Sequence, residues 1–289
     1  MPRWLVTGAR GALGHELCAL LTMDGAEVVG AARTDLDITD EPAVNAVLAD
    51  VAPQIVVNAA AYTRVDDAET DEAAAARLNG EAPGALARWC AAHDARLIHV
   101  STDYVFAGEA VAPYDVDDAV APKSAYGRTK LAGERAVLAA GADAHVVRTA
   151  WLYGAVGTNF VRTIGARLRA GSAVDVVDDQ RGAPTWTREL AHGLIALGTA
   201  DVAPGTWHCT AAGEASWYDV AVAIAEELGV APSLVRPTTS ASLARPAPRP
   251  AYSVLSSAKW IDAGLPAMPD WRRSLALALQ DPAVAASID

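Results

Sequence analysis

The chain has 289 residues, 52% of them hydrophobic and 20% charged, with a formal net charge of −12. That composition excludes a disordered chain and can bury a large core as one big domain or two unequal ones. The negative balance speaks against nucleic acid or an anionic membrane surface as partner, because long-range repulsion opposes both, so any bound phosphate must be met by local groups.

In chain order, Trp4–Thr7 reads as a strand, followed by Gly8, Gly11 and Gly14 and by apolar residues at helical spacing from Leu13 to Met23. Further strands are predicted at 27–32, 55–60, 96–101 and 144–148, with helical segments near 41–49, 72–92 and 124–140 between them. Near-continuous apolar strands alternating with helices mean an α/β fold with a doubly wound parallel sheet, Rossmann-like, covered on both faces. After Trp151 the pattern is less regular, with a strand at Val174–Val177, a helix over 187–198 and a Pro-rich stretch from Arg245 to Pro250. The expected division gives 1–150 and about 174–200 to an NAD(P)-binding domain, and about 151–173 and 201–289 to a smaller C-terminal substrate-binding domain. Cys18, Cys90 and Cys209 are odd in number, far apart and without metal-ligand spacing, which fits a reducing compartment. The first strand begins almost at Met1, with no secretory h-region ahead of it and no membrane-length apolar run, so the expected location is the cytoplasm.

Two motifs carry chemistry. In Gly8-x-x-Gly11-x-x-Gly14, Gly8 permits the tight turn, Gly11 lets backbone approach a pyrophosphate, and Gly14 lets the helix pack close. Where an acidic residue would bind the ribose of NAD, this chain has Ala31, Ala32 and Arg33, and Arg10 lies inside the glycine loop. Two cations there favour the 2′-phosphate of NADPH, with NADH use left open. Tyr126 and Lys130 stand at i, i+4 on one helix face, so the ammonium is expected to lower the phenol's pKa from about 10 toward neutrality. Thr102, ending the fourth strand, is placed to hydrogen-bond a substrate carbonyl beside that phenol; a turn-capping role is the plainer alternative. Trp151 is equally a packing tryptophan or a wall of a sugar pocket, and His99 reads as a core residue rather than a catalyst.

These blocks, together with 58–69, 101–106, 148–154, 179–185 and 249–255, resemble the extended short-chain dehydrogenase/reductases, and specifically the dTDP-4-dehydrorhamnose reductase family, over nearly the whole length. The resemblance implies NAD(P)H-dependent reduction of the 4-keto group of a dTDP-sugar, with Thr102, Tyr126 and Lys130 as the catalytic set. It places Thr102, Asp103 and Trp151 near the sugar nucleotide. It places Ala12, Leu13, Asp37, Ile38, Ala61, Tyr62 and Thr63 near the cofactor, and Ala59, a small residue at the carboxyl end of the third strand, is expected to let the cofactor lie flat on backbone. Some members form a homodimer around a magnesium ion held by acidic side chains. Glu16 and Glu189 stand where two of those would be, but the final helix, 275–280, lacks the acidic residue expected for the metal. Three other readings remain open at this point. They are a 4-epimerase or 4,6-dehydratase with tightly held NAD, a non-catalytic regulatory subunit on the same fold, and a sister ketoreductase of a natural-product deoxysugar.

Overall fold

The computed structural model describes residues 1–288. Its first half alternates strand and helix: β1 (Trp4–Thr7), α1 (Ala12–Met23), β2 (Val28–Ala31), α2 (Glu41–Val51), β3 (Ile55–Asn58), α3 (Glu72–Ala76), α4 (Ala82–Ala92), β4 (Arg96–Thr102), α5 (Ala125–Ala139) and β5 (Ala144–Thr149). The second half holds β6 (Leu152–Tyr153), α6 (Phe160–Arg169), β7 (Val174–Val177), β8 (Arg181–Gly182), β9 (Thr185–Trp186), α7 (Thr187–Thr199), β10 (Gly205–His208), β11 (Ala215–Ser216), α8 (Trp217–Glu227), β12 (Val235–Thr238), α9 (Ala258–Asp262), α10 (Trp271–Gln280) and α11 (Pro282–Ala286). Among the described residues no helix is long and apolar enough to cross a membrane.

Six parallel strands form the main sheet in the order β10-β5-β4-β3-β1-β2. Successive side chains of a strand point to opposite faces, so each apolar run feeds two cores. Val6, Val57, Ile98 and Val147 meet Leu13, Leu17, Leu190 and Leu194 of α1 and α7. Leu5, Val56, Leu97 and Val146 meet Val44, Leu48, Leu86 and Val137 of α2, α4 and α5. The chain reverses direction across the sheet between β1 and β3, and the crevice at their carboxyl ends is where such sheets receive ligands.

A third core lies outside this sheet, built from Val161, Ile164, Leu168, Val174, Val176, Trp186, Val220, Ile224 and Leu275. Here the observed pairing departs from the expected division at 174–200 and 201–289. β7 pairs with β12 rather than with the main sheet, because Val174 and Val176 bury into this third core, whereas β10, which the sequence reading leaves within 201–289, extends the main sheet beside β5. Only α7 of the 174–200 segment rests on the main sheet.

The single helix expected over 72–92 is interrupted by a π-helical turn, Arg77–Glu81. Pro83, without an N–H, stands at the start of α4, and the widened turn swings the Asn79 carbonyl against α5. A methyl group on Gly133 of α5 would lie 2.0 Å from that oxygen. Gly133→Ala is therefore expected to destabilise the fold by about 1–3 kcal/mol through overpacking, measured as a lowered urea midpoint at unchanged m-value. An unchanged midpoint would mean that α5 can move away from the turn at no cost.

Candidate active site

The glycine loop leaves β1 at the sheet reversal. Gly8 has φ +70° and packs so tightly that a Cβ would fall 2.8 Å from the Ala60 nitrogen, while one on Gly14 would fall 2.2 Å from the Gly8 carbonyl. The loop closes through the Gly11 N–H, which donates to the Gly8 carbonyl at 2.8 Å. Gly11 is also the N-cap of α1 and has no side chain to take the first-turn N–H groups, so the positive end of the helix faces the crevice with Ala12 and Leu13 at its start. Arg10 is exposed, and Arg33 is 86% exposed with its Nε 3.9 Å from Asp37. Hydrogen bonds from the Thr39 backbone and hydroxyl hold the Asp37 carboxyl below the usual range. Ile38 is buried beneath it. Across the crevice, Ala59 and Ala61 are partly buried, Thr63 is exposed, and the backbone of Tyr62 is fixed at both ends by Asn79: the Tyr62 N–H donates to Asn79 Oδ1 at 2.8 Å and Asn79 Nδ2 donates to the Tyr62 carbonyl at 3.1 Å. Asn79 is a residue that sequence reading missed, because its part depends on a π turn that no periodicity reports.

Thr102, Asp103, Tyr126 and Lys130 come together where β4 ends against the start of α5. Ser124 caps α5 by accepting from the Gly127 N–H, and the Ala125 N–H donates to Glu69 at 2.8 Å, tying the helix to the loop that follows β3. Thr102 Oγ1 donates to Asp103 Oδ1 at 2.9 Å and accepts from the Tyr104 N–H at 3.2 Å, beside Tyr126. Burial pushes the Tyr126 phenol up to about 12; Thr102 draws it down and the Asp103 charge pushes it up. The expected fall toward neutrality is thus not what this fold produces, and the reason is geometric. Lys130 turns inward, donating from Nζ to the Val100 carbonyl at 2.7 Å and lying 3.4 Å from His99 Nε2. Burial in turn lowers the Lys130 amine to about 8, against the charge of Glu134. Asp103 is 3% exposed, its Oδ2 has no hydrogen-bond partner among the described residues, and burial raises its carboxyl to about 6 despite contacts with Ser253 and Thr102.

The other wall comes from the second half of the chain. Trp151 holds φ +49° and stacks flat on Trp217 of α8, with ring centroids 3.6 Å apart, and Phe160 leans on Trp217 from α6. Nothing in the sequence singled out Trp217. The Pro-rich stretch crosses to the loop after β3. Arg249 grips Asp66 through two hydrogen bonds, at 2.9 and 2.8 Å, and the Ala247 N–H donates to the same carboxylate. Burial acts to raise Asp66, but Arg249 and that N–H hold it below the usual range. Tyr104 stands edge-on to Tyr126, with ring centroids 5.5 Å apart.

The residues proposed for magnesium do not fit a metal. Glu16 accepts from Arg188 Nε at 3.1 Å, and the same guanidinium reaches Asp281 at the end of α10, so a fixed cation already stands between these carboxylates. Glu189 is held apart beside Ser274, with its carboxyl raised by burial. Among the described residues no group of three His, Cys, Asp or Glu side chains could hold a metal ion.

The family model described as the RmlD substrate binding domain matches residues 2–284. A Streptomyces antibioticus protein named "probable dTDP-4,6-dihydroxy-2-methyloxan-3-one 4-ketoreductase" is 53% identical over 280 residues, covering 96% of this chain and 95% of its own. The dTDP-4-dehydrorhamnose reductase of Streptomyces griseus is 50% identical over 280 residues, covering 95% and 92%. A crystal structure of the dTDP-4-dehydrorhamnose reductase of Bacillus anthracis, in complex with NADP, superposes with a TM-score of 0.93 at 32% identity, covering 97% of this chain and 99% of that one.

The buried Asp103 carboxyl has a measurable consequence. Its folded pKa, about 6, lies above the ordinary 3.8, so the folded state binds the extra proton and stability falls as pH rises from about 4 to 6. Asp103→Asn is expected to raise the unfolding free energy by about 1–3 kcal/mol at pH 8 and to leave it unchanged near pH 4. Urea titrations at both pH values check this; a difference independent of pH would place the carboxyl in a normal, solvated setting.

Proposed function

The chain belongs to the RmlD substrate binding domain family, and on that premise we propose that it is an NADPH-dependent reductase of the 4-keto group of dTDP-4-dehydro-6-deoxyhexoses, turning dTDP-4-dehydrorhamnose into dTDP-rhamnose. The observation that carries the reading is the convergence of Thr102, Tyr126 and Lys130 at the end of β4, beside the crevice at the sheet reversal, in a chain 50% identical to a named reductase. Bound NADPH supplies the hydride that the ketone carbon accepts. The open first turn of α1, with Gly8, Gly11, Gly14, Ala12 and Leu13, holds its pyrophosphate, and Arg10 and Arg33 meet its 2′-phosphate. Asp37, Ile38, Ala59, Ala61, Tyr62 and Thr63 line the crevice around it.

Tyr126 gives its proton to the substrate oxygen as charge builds there, and the Thr102 hydroxyl stabilises the same oxygen. A phenol raised by burial is fully protonated at neutral pH, as a proton donor must be, and an alkoxide is a stronger base than a phenolate, so the transfer runs downhill. Lys130, one turn along α5 from Tyr126, would bind the ribose of the nicotinamide, and its amine is the proton source from which the phenol is recharged through an intervening hydroxyl or water. Asp103 offers an unpartnered carboxylate oxygen to a sugar hydroxyl, and Trp151, braced by Trp217, forms the wall against the sugar. Arg188 closes the Glu16–Asp281 site without metal, so no step passes through magnesium.

Two measurements test this. Tyr126→Phe, assayed by loss of NADPH absorbance on adding dTDP-4-dehydrorhamnose, should lower kcat by about 10²–10⁴ with NADPH binding retained, and Thr102→Val by a smaller factor. Near-normal turnover in the phenylalanine variant would remove Tyr126 from the mechanism, and NMR of the product's C4 configuration decides between rhamnose and its epimer. For the cofactor, Arg33→Ala should narrow the preference for NADPH over NADH by about tenfold, one charge-assisted contact; an unchanged ratio would mean that Arg33 points elsewhere.

A further inference from the structure

A line of buried polar groups crosses three strands beneath the crevice and ends on Lys130. Thr7 Oγ1 donates to Asn58 Oδ1 at 2.6 Å, and the Ala60 N–H donates to the same oxygen at 3.3 Å. With its oxygen accepting from a backbone N–H, the orientation of the Asn58 amide is settled, and its Nδ2 must be the donor in the 3.1 Å contact with His99 Nδ1. His99 Nδ1 is then the bare nitrogen. The ring is fully buried and stays neutral, since burial first and the Lys130 charge second hold its pKa well below the usual value. A neutral imidazole with Nδ1 bare carries its proton on Nε2, and Nε2 is the nitrogen 3.4 Å from Lys130 Nζ.

An ammonium has only N–H bonds to offer, so facing the Nε2–H it has two donors opposed and no hydrogen bond between them; a neutral amine can accept. Lys130 therefore keeps one good acceptor, the Val100 carbonyl, and meets on its other side a group that favours its deprotonated form. We propose that His99, locked by Asn58 as the Nε2–H tautomer, is a positioning residue that holds the Lys130 amine in place and disfavours its protonated state. Other charged and titratable groups act on the same amine. Glu134, one turn on along α5, favours the ammonium but is engaged by Arg148 of β5 and by Ser101 of β4. Tyr126 lies one turn back on α5, and Asp103 bears on that phenol from the turn after β4. The consequence for the reaction is that Lys130 gives up a proton readily near neutral pH, as restoring the phenol requires. The same asparagine also fixes Ala60, so the line joins the cofactor crevice to the acid–base state of the lysine. This rests on the reductase reading for its meaning in catalysis, but the tautomer and the amine are read without turnover.

The chain has three lysines, Lys123, Lys130 and Lys259, so ¹³Cε-lysine NMR of the unmodified full chain resolves each. The expected result is a Lys130 midpoint near 8, with ¹⁵N shifts of His99 showing Nε2 protonated and Nδ1 bare, and the Nε2 signal moving with the Lys130 midpoint. In Asn58→Asp the carboxylate can only accept, so the ring proton moves from Nε2 to Nδ1, which donates to the carboxylate and turns the imidazole's bare nitrogen, Nε2, toward Lys130. The Lys130 midpoint should then rise by at least one unit, a tenfold gain in proton affinity, and the corresponding limb of the pH–rate profile should move with it. A loss of rate at every pH without movement of that limb would mark a merely structural role and overturn the proposal. So would a protonated Nδ1 in the unaltered protein, or a Lys130 midpoint unmoved in Asn58→Asp. Absence of turnover with these NMR results intact would refute the reductase reading and leave the His99–Lys130 coupling standing.

Discussion

Lys130 is 1% exposed and pairs with no carboxylate among the described residues, and much of the site's architecture follows from accommodating that one amine. A buried cation costs several kcal/mol unless it is hydrogen-bonded or gives up its proton. Here both routes are used: the Val100 carbonyl at the end of β4 takes one hydrogen, and the surroundings lower the proton affinity. The carboxylate nearest in sequence, Glu134, is spent instead on a buried bidentate pair with Arg148, which locks α5 to β5. Such a pair contributes more to a unique packing than to net stability, since its desolvation offsets most of its attraction. With Ser101 also donating to Glu134, its practical effect is to fix the helix that carries Tyr126 and Lys130 against β5 and against β4, which carries Thr102 and His99.

The two halves of the chain meet over this point through contacts that differ in kind. Asp66, from the loop after β3, gathers Arg245, Arg249 and the Ala247 N–H. The third core supplies Trp217, whose flat stacking on Trp151 supports a left-handed backbone that a tryptophan adopts at a cost of about 1–3 kcal/mol. Strain of this size persists only where surrounding packing over-determines it, and here the indole is braced by Trp217 while the Thr185 N–H holds the Trp151 carbonyl. A polar clamp and an aromatic brace thus set the shape of the cleft from opposite sides.

Away from the cleft, Arg188 resolves the acidic cluster of α1 and α10. A guanidinium reaching two carboxylates offers planar, directional hydrogen bonds that a divalent ion would otherwise replace with coordination. The cation is built into α7, so the link between α1 and the C-terminal helices forms with the fold instead of depending on ion concentration.

Local signals in the sequence were sufficient for what depends on neighbours along the chain. The strand–helix alternation, the glycine turn at Gly8 and the Tyr126–Lys130 spacing are set within a few residues by backbone sterics and side-chain period, and each stands in the structure close to where it was read. The interruption at Arg77–Glu81, the membership of β7 and β10, and Trp217 could not be read, because each is decided by a partner far away in sequence: α5, β12, β5 and Trp151. His99 shows the limit most clearly. The sequence by itself determined that a histidine lies in a buried strand; only the tertiary structure decided what it does, because its tautomer is set by Asn58, 41 residues away, and the direction of a hydrogen bond is a property of two groups brought together, not of either alone.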